Sequence, residues 1–226
     1  MKRSQINRVV ADAIGFIADF RFALPPFAFW NLATWHKNKE QAGHLIGAGL
    51  GWDVTDHGQG DFSKSGLVLF TIRNGNPLDD TGQGYAEKLM VSQVGQVVPF
   101  HYHKEKTEDI INRGGGLFKI EVCNSTVDGR LAESDCKVFI DGQLCEVKAG
   151  AVFTLEPGSS IHIPPGLYHK FWSEDAPVLI GEVSTVNDDL TDNYFLEEVG
   201  RFPIVDEDEP IKHLLVSDYE KILKGE

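Results

Sequence analysis

Between residues 66 and 187 the sequence is a series of short apolar or alternating runs, such as SGLVLFTIRNG, QVVPFHYH, GLFKIEVCNS and PVLIGEVSTV. Glycine, asparagine, aspartate and proline separate these runs. Short strands punctuated in this way by turn residues predict an antiparallel sandwich or barrel. We therefore expect a mainly β protein whose barrel occupies about residues 66–187.

The segments on either side of this region differ from it. Apolar side chains in residues 4–20 recur with the helical period of 3.6, which predicts an amphipathic helix, and Pro25 and Pro26 prevent its continuation. The Gly-rich stretch GHLIGAGLGWDVTDHGQG has no regular period. After the barrel, LTDNYFLEEVG and IKHLLVSDYEKILKGE each predict a short helix. The expected organisation is one domain, with a helical and loop extension at about 1–65 and a helical extension at 188–226.

Composition restricts the partners that the chain can have. The formal net charge is -13, and no basic stripe interleaved with aromatic residues compensates it, so nucleic acid is not expected. A neutral or cationic small molecule fits better, although acidity can also serve solubility alone. No apolar run approaches the ~20 residues that cross a bilayer. The N-terminus lacks the apolar stretch of a signal peptide, and the three cysteines lack C-x-x-C spacing, which predicts reduced thiols in a cytoplasmic protein.

The stretch GQVVPFHYHKEKTEDIINRGGG contains two histidines in an apolar run. Because side chains alternate along a strand, one face is expected to carry Val97, Pro99, His101 and His103. Two imidazoles that face the interior of a barrel need partners, and a cation satisfies both. Glu108 can reach the same point if the chain turns back after His103. An ordinary polar strand can also contain two such histidines, so this stretch alone leaves both interpretations open.

A second stretch, GSSIHIPPGLYHKFWS, adds a third histidine in a defined place. A tight turn over Pro164 to Gly166 is expected to start a new strand at His169, and Phe171 and Ser173 then share its face.

The two stretches resemble the two sequence motifs of the cupin superfamily. The first matches at Gly95, His101, His103, Glu108 and Gly115, and the second at Gly158, Pro164, Gly166 and His169, with Ser173 in place of the final asparagine. This resemblance implies a small jelly-roll barrel in which His101, His103, Glu108 and His169 bind one divalent metal. Three imidazoles and a carboxylate suit Mn, Fe, Co, Ni or Zn. A closed, tetrahedral structural zinc is the alternative to an open catalytic site.

The chain as a whole resembles the D-lyxose isomerase family of metal-dependent cupin sugar isomerases. The likeness is carried by PPFAFW, EKLMVSQVGQVVPFHYHKEKTEDIINRGGG, IPPGLYHKFWSE and NDDLTDNYFLEEVGRFP. It implies interconversion of D-lyxose with D-xylulose, and often of D-mannose with D-fructose, preferably with manganese. Apolar residues on both faces of the strand around His101 make a homodimer a reasonable expectation.

Three residues are candidates for the chemistry besides the metal. Glu182 is the only charged residue in the run PVLIGEVSTV, so it either faces the cavity as a general base or faces solvent from an edge strand. Lys88 can stabilise a developing oxyanion or be solvated. The ligand Glu108 is the other available acid or base.

Sugar hydroxyls also need positioned partners. Asp192, Arg201 and Lys106 are the polar candidates, and Trp30 and Phe171 are the aromatic ones. Each has a structural alternative: Asp192 can cap a helix, Arg201 can form an ion pair, Lys106 lies in a turn where exposure is expected, and the aromatic residues can be core. The other histidines are expected to be structural or exposed and not ligands: His36, His44, His57, His162 and His213.

Two other functions remain open at this point. The same four ligands would serve an iron-dependent cupin dioxygenase, and a sugar-binding or storage cupin needs no chemistry at all. A cavity that binds hydroxyl groups and contains a free carboxylate favours the isomerase, whereas an apolar cavity favours the dioxygenase.

Overall fold

The structure is a computed structural model that describes residues 1–75, 82–189, 191–200 and 202–225. Its α-helices are α1 (Arg3–Asp19), α2 (Leu32–Asn38) and α3 (Gly43–Gly47), with 3-10 turns at Pro26–Phe29 and Val216–Asp218 and a π-helical turn at Glu220–Gly225. The strands are β1 (Gly51–Thr55), β2 (Leu67–Arg73), β3 (Tyr85–Ser92), β4 (Val97–Tyr102), β5 (Glu108–Gly115), β6 (Phe118–Asn124), β7 (Cys136–Ile140), β8 (Gln143–Val147), β9 (Ala151–Leu155), β10 (Ser160–Ile163), β11 (Leu167–Ser173), β12 (Val178–Thr185) and β13 (Tyr194–Phe195).

The strands form two antiparallel sheets, which confirms the predicted mainly β fold. The larger sheet has the order β1-β2-β3-β12-β5-β10-β7-β8, and the smaller has the order β13-β4-β11-β6-β9. Both sheets contribute side chains to one buried core, which includes Met90, Ile110, Phe118, Ile161 and Phe171. The polar site described below lies at one end of this core.

Helix α1 covers the outer face of the larger sheet, as the helical period predicts. Its buried residues Ile6, Val10, Ala13 and Ile17 follow the three- and four-residue spacing of one helical face. They pack in one cluster with outward residues of β2 and β3, including Phe70 and Leu89. Among the described residues, no helix has the length and apolar character that a bilayer crossing requires.

Two segments differ from the sequence-based expectation. The Gly-rich stretch contains β1, which pairs with β2 from Gly51 opposite Thr71 to Thr55 opposite Leu67. Gly51 has a φ of 137°, and a Cβ there would lie 2.3 Å from the hydroxyl of Tyr219. The glycine therefore marks a close approach of the C-terminal segment to the start of the strand, so this stretch is not irregular.

The helix predicted in LTDNYFLEEVG is wrong. Tyr194 and Phe195 form β13, which pairs with Tyr102 and His101 of β4. Edge pairing with a sheet has overridden the weak local preference for helix. In the described part of the C-terminal stretch, residues 211–225, the helical segments are the two short turns at Val216–Asp218 and Glu220–Gly225.

Arg3 ties the N-terminal helix to the C-terminal segment. Its side chain is fully buried and donates to both carboxylate oxygens of Asp218 at 2.9 Å and to Glu207 at 2.8 Å. Burial alone would lower the pKa of Arg3, but these two carboxylates hold it above its ordinary value. The buried guanidinium is thus compensated by two anions.

Replacing Arg3 by Met should lower the free energy of unfolding by about 3–5 kcal/mol, because Asp218 would keep a buried charge without its partner. Urea denaturation measures the change. The matched control is Lys64→Met, since the Lys64–Asp61 pair is exposed and its loss should leave stability nearly unchanged.

Lower pH should reduce the difference in the free energy of unfolding between Arg3→Met and the wild type. The hydrogen bond from Arg3 lowers the pKa of Glu207. The stabilisation that Glu207 contributes is therefore complete above the ordinary glutamate pKa, and it is lost as the pH falls through the lowered pKa. A difference that is constant from neutral to acidic pH would show that Glu207 contributes nothing to this tie.

Candidate metal centre

A β-bulge in β4 sets the direction of the His101 side chain, the first of three clustered histidines. His101 pairs with His169 of β11, and Val98 pairs with Phe171. The two paired positions are three residues apart in β4 but only two residues apart in β11, so β4 contains one extra residue. Val98 therefore joins the core and shares the inner face with His101. The expectation that Val97 and Pro99 share that face is wrong, because the bulge interrupts the alternation at Pro99, which has no N–H to donate to a ladder.

Three imidazoles converge inside the barrel. His101 lies in β4, His103 lies just after it, and His169 lies in the neighbouring β11. One nitrogen from each ring lies within 4.8 Å of the others. All three side chains are buried, at 7%, 5% and 0% exposure respectively. This triad could bind a metal ion.

Main-chain oxygens orient the three rings. Nδ1 of His101 lies 2.8 Å from the carbonyl oxygen of Pro99, and Nδ1 of His169 lies 3.2 Å from that of Leu167. Nδ1 of His103 contacts the carbonyl oxygen of Asp192. A carbonyl only accepts, so each Nδ1 carries the hydrogen and each Nε2 keeps a lone pair for a cation. Burial, together with the neighbouring His169 and His103, lowers the pKa of His101 well below its usual value, which keeps that ring neutral.

Glu108, the first residue of β5, lies beside the three imidazoles. Its Oε1 lies 3.1 Å from Nε2 of His169 and 3.5 Å from Nε2 of His103. Oε1 and the His169 Nε2 are both buried, and neither has a hydrogen-bond partner among the described residues. Two acceptors at this separation are costly unless a cation or a proton lies between them. Three imidazole nitrogens and one carboxylate oxygen thus fit a divalent transition metal.

Lys106 is buried between two carboxylates, so the expected solvent exposure is wrong. Only 4% of the residue is exposed. Its Nζ lies 2.6 Å from Oε2 of Glu108 and 3.1 Å from Oε1 of Glu182. Burial would raise the pKa of Glu108, but the Lys106 ammonium and His103 hold it well below its usual range. Burial would lower the pKa of Lys106, and the two carboxylates instead raise it above its ordinary value.

Glu182 and Lys88 also face the cavity, which excludes their solvent-facing alternatives. They stand opposite each other on β12 and β3 and are only 5% and 3% exposed. Lys88 Nζ lies 3.4 Å from Glu182 Oε1 and donates to Asn187 Oδ1 at 2.6 Å. Two lysines and two glutamates, Lys88, Lys106, Glu108 and Glu182, therefore form one buried charge network.

Asp192 holds the loop that carries Lys106. Its carboxylate accepts the backbone N–H groups of Lys104 at 2.7 Å, Glu105 at 3.1 Å and Lys106 at 2.8 Å. Its own carbonyl oxygen accepts from His103. The expected helix cap is wrong, and the carboxylate is already occupied by main-chain donors. The expected contact with substrate stays a prediction.

The remaining predicted residues lie in different places. Phe171 lines the cavity around the histidines. Trp30 packs against Trp35, with ring centroids 5.0 Å apart, in a cluster with Leu214 and Tyr219 away from that cavity. Arg201 lies outside the described residues. His162 bonds to Asp109 at 2.9 Å on the outer face of the larger sheet.

Other cavity residues were missed by sequence reasoning. His57, Asp189, Asn193 and Phe195 line the same space, and Asn187 bonds to the cavity lysines Lys88 and Lys106. The buried Oδ1 of Asn193 has no hydrogen-bond partner among the described residues. His57 was placed outside the site because it lies in the Gly-rich stretch. The other four residues lie after β12, in the part of the chain that crosses the site. The sequence evidence for them was the likeness of NDDLTDNYFLEEVGRFP to the family.

The family model for D-lyxose isomerase matches residues 1–219. The chain belongs to the D-lyxose isomerase family. It is 44% identical over 223 residues to the D-lyxose/D-mannose isomerases of Serratia proteamaculans and of Escherichia coli O157:H7, and each alignment covers 97% of this chain and 98% of the relative. The protein is therefore an aldose–ketose isomerase.

Solved structures of a more distant isomerase share the fold. L-ribose isomerase from Cellulomonas parahominis with L-ribose matches with a TM-score of 0.58 and 16% sequence identity, over 91% of this chain and 98% of that one. Its structure with no ligand matches with a TM-score of 0.57.

Asp192→Asn should weaken metal binding by about 10–100-fold, because one amide oxygen cannot accept all three backbone N–H groups and the carbonyl that orients His103 would shift. Calorimetric titration of the metal-free protein with Mn²⁺ measures the affinity. Asp175→Asn is the matched control, since Asp175 also accepts a backbone N–H, from Leu117, in an exposed loop. Equal affinities for the two variants would mean that Asp192 does not position the centre.

Proposed function

We propose that this isomerase interconverts D-lyxose with D-xylulose and D-mannose with D-fructose, using one bound divalent cation, preferably Mn²⁺. The supporting observation is the composition of one buried cavity. It contains three oriented imidazoles and Glu108, and next to them a second carboxylate, Glu182, held by two ammonium groups. The names of the relatives that are 44% identical supply the two aldoses, and D-xylulose and D-fructose are the ketoses that these aldoses give when the carbonyl moves from C1 to C2.

The proposed metal ligands are His101, His103, Glu108 and His169. When bound, a divalent cation polarises the substrate carbonyl and stabilises negative charge on the oxygens at C1 and C2. Co, Fe, Ni and Zn suit the same donor set. The buried, unpartnered Glu108 Oε1 and His169 Nε2 support this assignment.

Glu182 is the proposed general base. Isomerisation moves a hydrogen between C1 and C2, and a carboxylate that removes the proton from one carbon can return it to the other through an enediol. Lys88 at 3.4 Å and Lys106 at 3.1 Å both contact Oε1 of Glu182 and so fix the position of the carboxylate. Glu108 is the second candidate for proton transfer, and both lysines are candidates to donate to a developing oxyanion.

Hydroxyl recognition would fall to polar groups around this centre. Asn193 Oδ1 is a buried acceptor that has no hydrogen-bond partner in the part of the chain that the structure describes, and a sugar hydroxyl would satisfy it. Phe171 would present an apolar face to the carbon chain. Asp192 serves by positioning Lys106 and His103, and a substrate contact by Arg201 stays a prediction.

We also propose a cytoplasmic homodimer. Cys123, Cys136 and Cys145 are all free thiols, as a reducing compartment requires. Outward-facing Val183, Phe139 and Leu144 are 42%, 45% and 55% exposed and lie in one row across the larger sheet, with the pair of Asp109 and His162 between Val183 and Phe139. A second copy would cover these three apolar side chains.

Chelator-treated protein reloaded with Mn²⁺ should convert D-lyxose to D-xylulose without oxygen, and the chelated protein should be inactive. Ketose formation under anaerobic conditions is the measurement. The iron-dependent dioxygenase and the sugar-binding cupin both predict no turnover there. Failure to form ketose from a panel of aldoses with Mn, Co and Fe each supplied would overturn the proposal.

Glu182→Gln should lower kcat by about 10²–10⁴-fold, because the amide cannot carry a proton between carbons. The matched control is Glu146→Gln, an exposed strand glutamate paired with Lys137, which should retain wild-type kcat. Turnover in D₂O provides the second measurement. Deuterium from solvent at the reacting carbon of the product would establish proton transfer, because a hydride shift keeps the hydrogen of the substrate. A Glu182→Gln variant that keeps wild-type kcat would remove the role of Glu182 as a proton carrier.

A further inference from the structure

The cavity around the three histidines, here the metal pocket, is small. Its volume is about 50 Å³, which is room for roughly three to five water molecules. An aldopentose has five carbons and five oxygens, so this space accommodates only the reacting end of an open-chain sugar. The remaining carbons need space elsewhere.

A second, larger cavity adjoins the metal pocket. Its volume is about 370 Å³, and its walls include Leu69 and Asp189, which also line the metal pocket. We call it the tail cavity. It lies between the inner face of β1 and β2, the turn after α3 and the C-terminal segment at Val216–Glu220.

A polar row connects the two cavities along the inner face of the larger sheet. Glu182 stands opposite Lys88, and Lys88 stands opposite Thr71. Directly opposite residues in antiparallel strands have Cβ atoms about 4.5–5.5 Å apart. Leu69, two residues before Thr71 and on the same face, stands opposite Asp53. Buried polar groups thus extend from the proposed base into the tail cavity.

The lining of the tail cavity suits a chain of carbons that carries hydroxyl groups. Thr71, Asp53 and Asn187 are buried at 4%, 3% and 7% exposure and contribute polar side chains to the wall of the cavity. Leu69 and Val216 contribute apolar surface to the same cavity. Sugar-binding sites combine such positioned polar groups with apolar surface for the C–H groups.

We propose that an open-chain aldose spans both cavities, with C1 and C2 in the metal pocket and the carbons from C3 onward past Leu69 in the tail cavity, where Thr71 binds a tail hydroxyl. This inference rests on the proposed isomerase function and deepens it. Since the tail cavity is several times larger than the metal pocket, it admits the tail of a pentose or of a hexose. One additional carbon in such a site changes selectivity only modestly.

Thr71→Val tests the hydroxyl contact without changing the shape of the side chain. For D-lyxose, kcat/KM should fall about 3- to 10-fold, the loss that one hydrogen bond gives. For D-glyceraldehyde, whose chain ends at C3, the loss should be smaller. Thr154→Val, in the exposed edge strand β9, is the matched control and should change neither value. Equal losses for both sugars would show that Thr71 acts on the reacting end, and would overturn the proposal.

Ser217→Trp tests the volume of the tail cavity. Ser217 is an exposed rim residue, so the larger side chain can enter the cavity without disturbing the core. KM should rise more for D-mannose than for D-lyxose, and least for D-glyceraldehyde, while the affinity for Mn²⁺ stays unchanged. Unchanged KM for the two longer sugars would overturn the proposal.

A binding measurement separates this inference from the proposed function. D-mannitol cannot isomerise, and its binding to the Mn²⁺-loaded wild type and to Ser217→Trp can be followed by calorimetry. Weaker binding to the variant supports the tail cavity even if no aldose turns over, in which case only the isomerase function fails. Equal binding to both proteins overturns the tail cavity and leaves the isomerase function intact.

Discussion

The site depends on one buried ammonium group placed between two carboxylates. Glu108 and Glu182 are almost fully inaccessible, and burying two anions side by side is costly unless a cation compensates them. Lys106 contacts both, at 2.6 and 3.1 Å. Without it, the carboxylates would repel each other, and neither the proposed ligand Glu108 nor the proposed base Glu182 would keep its place. The loop that carries Lys106 is therefore as important as the proposed metal ligands.

That loop is held by a segment far along the chain. The tail after β12 crosses the end of the barrel, where Asn187 contacts Lys88 and Asp192 accepts three backbone N–H groups from the loop. The tail then joins the smaller sheet as β13, and the ring of Phe195 lies 5.5 Å from that of His101. Strand pairing, loop position and ring orientation are thus fixed together by residues 187–189 and 191–195.

The sequence predicted that His101, His103 and His169 lie together, but not the residues that hold them in place. The spacing of His101, His103 and His169 follows from local strands and turns, so motif and alternation find these residues. The bulge at Pro99 breaks the alternation, and only pairing with β11 reveals it. The burial of Lys106 could not be predicted, because its partner Glu182 lies 76 residues away. Asp192 resembled a helix cap because acidic residues suit a first helical turn. No local pattern shows that its carboxylate accepts from the main chain of residues 104–106.

The orientation of all three imidazoles by main-chain carbonyl oxygens has an evolutionary consequence. The carbonyls of Pro99, Leu167 and Asp192 are present whatever side chains those positions carry. Only the path of the backbone must persist for Nε2 of each ring to stay available. Substitutions of side chains around the cavity can therefore alter its shape and polarity without changing the orientation of the three rings.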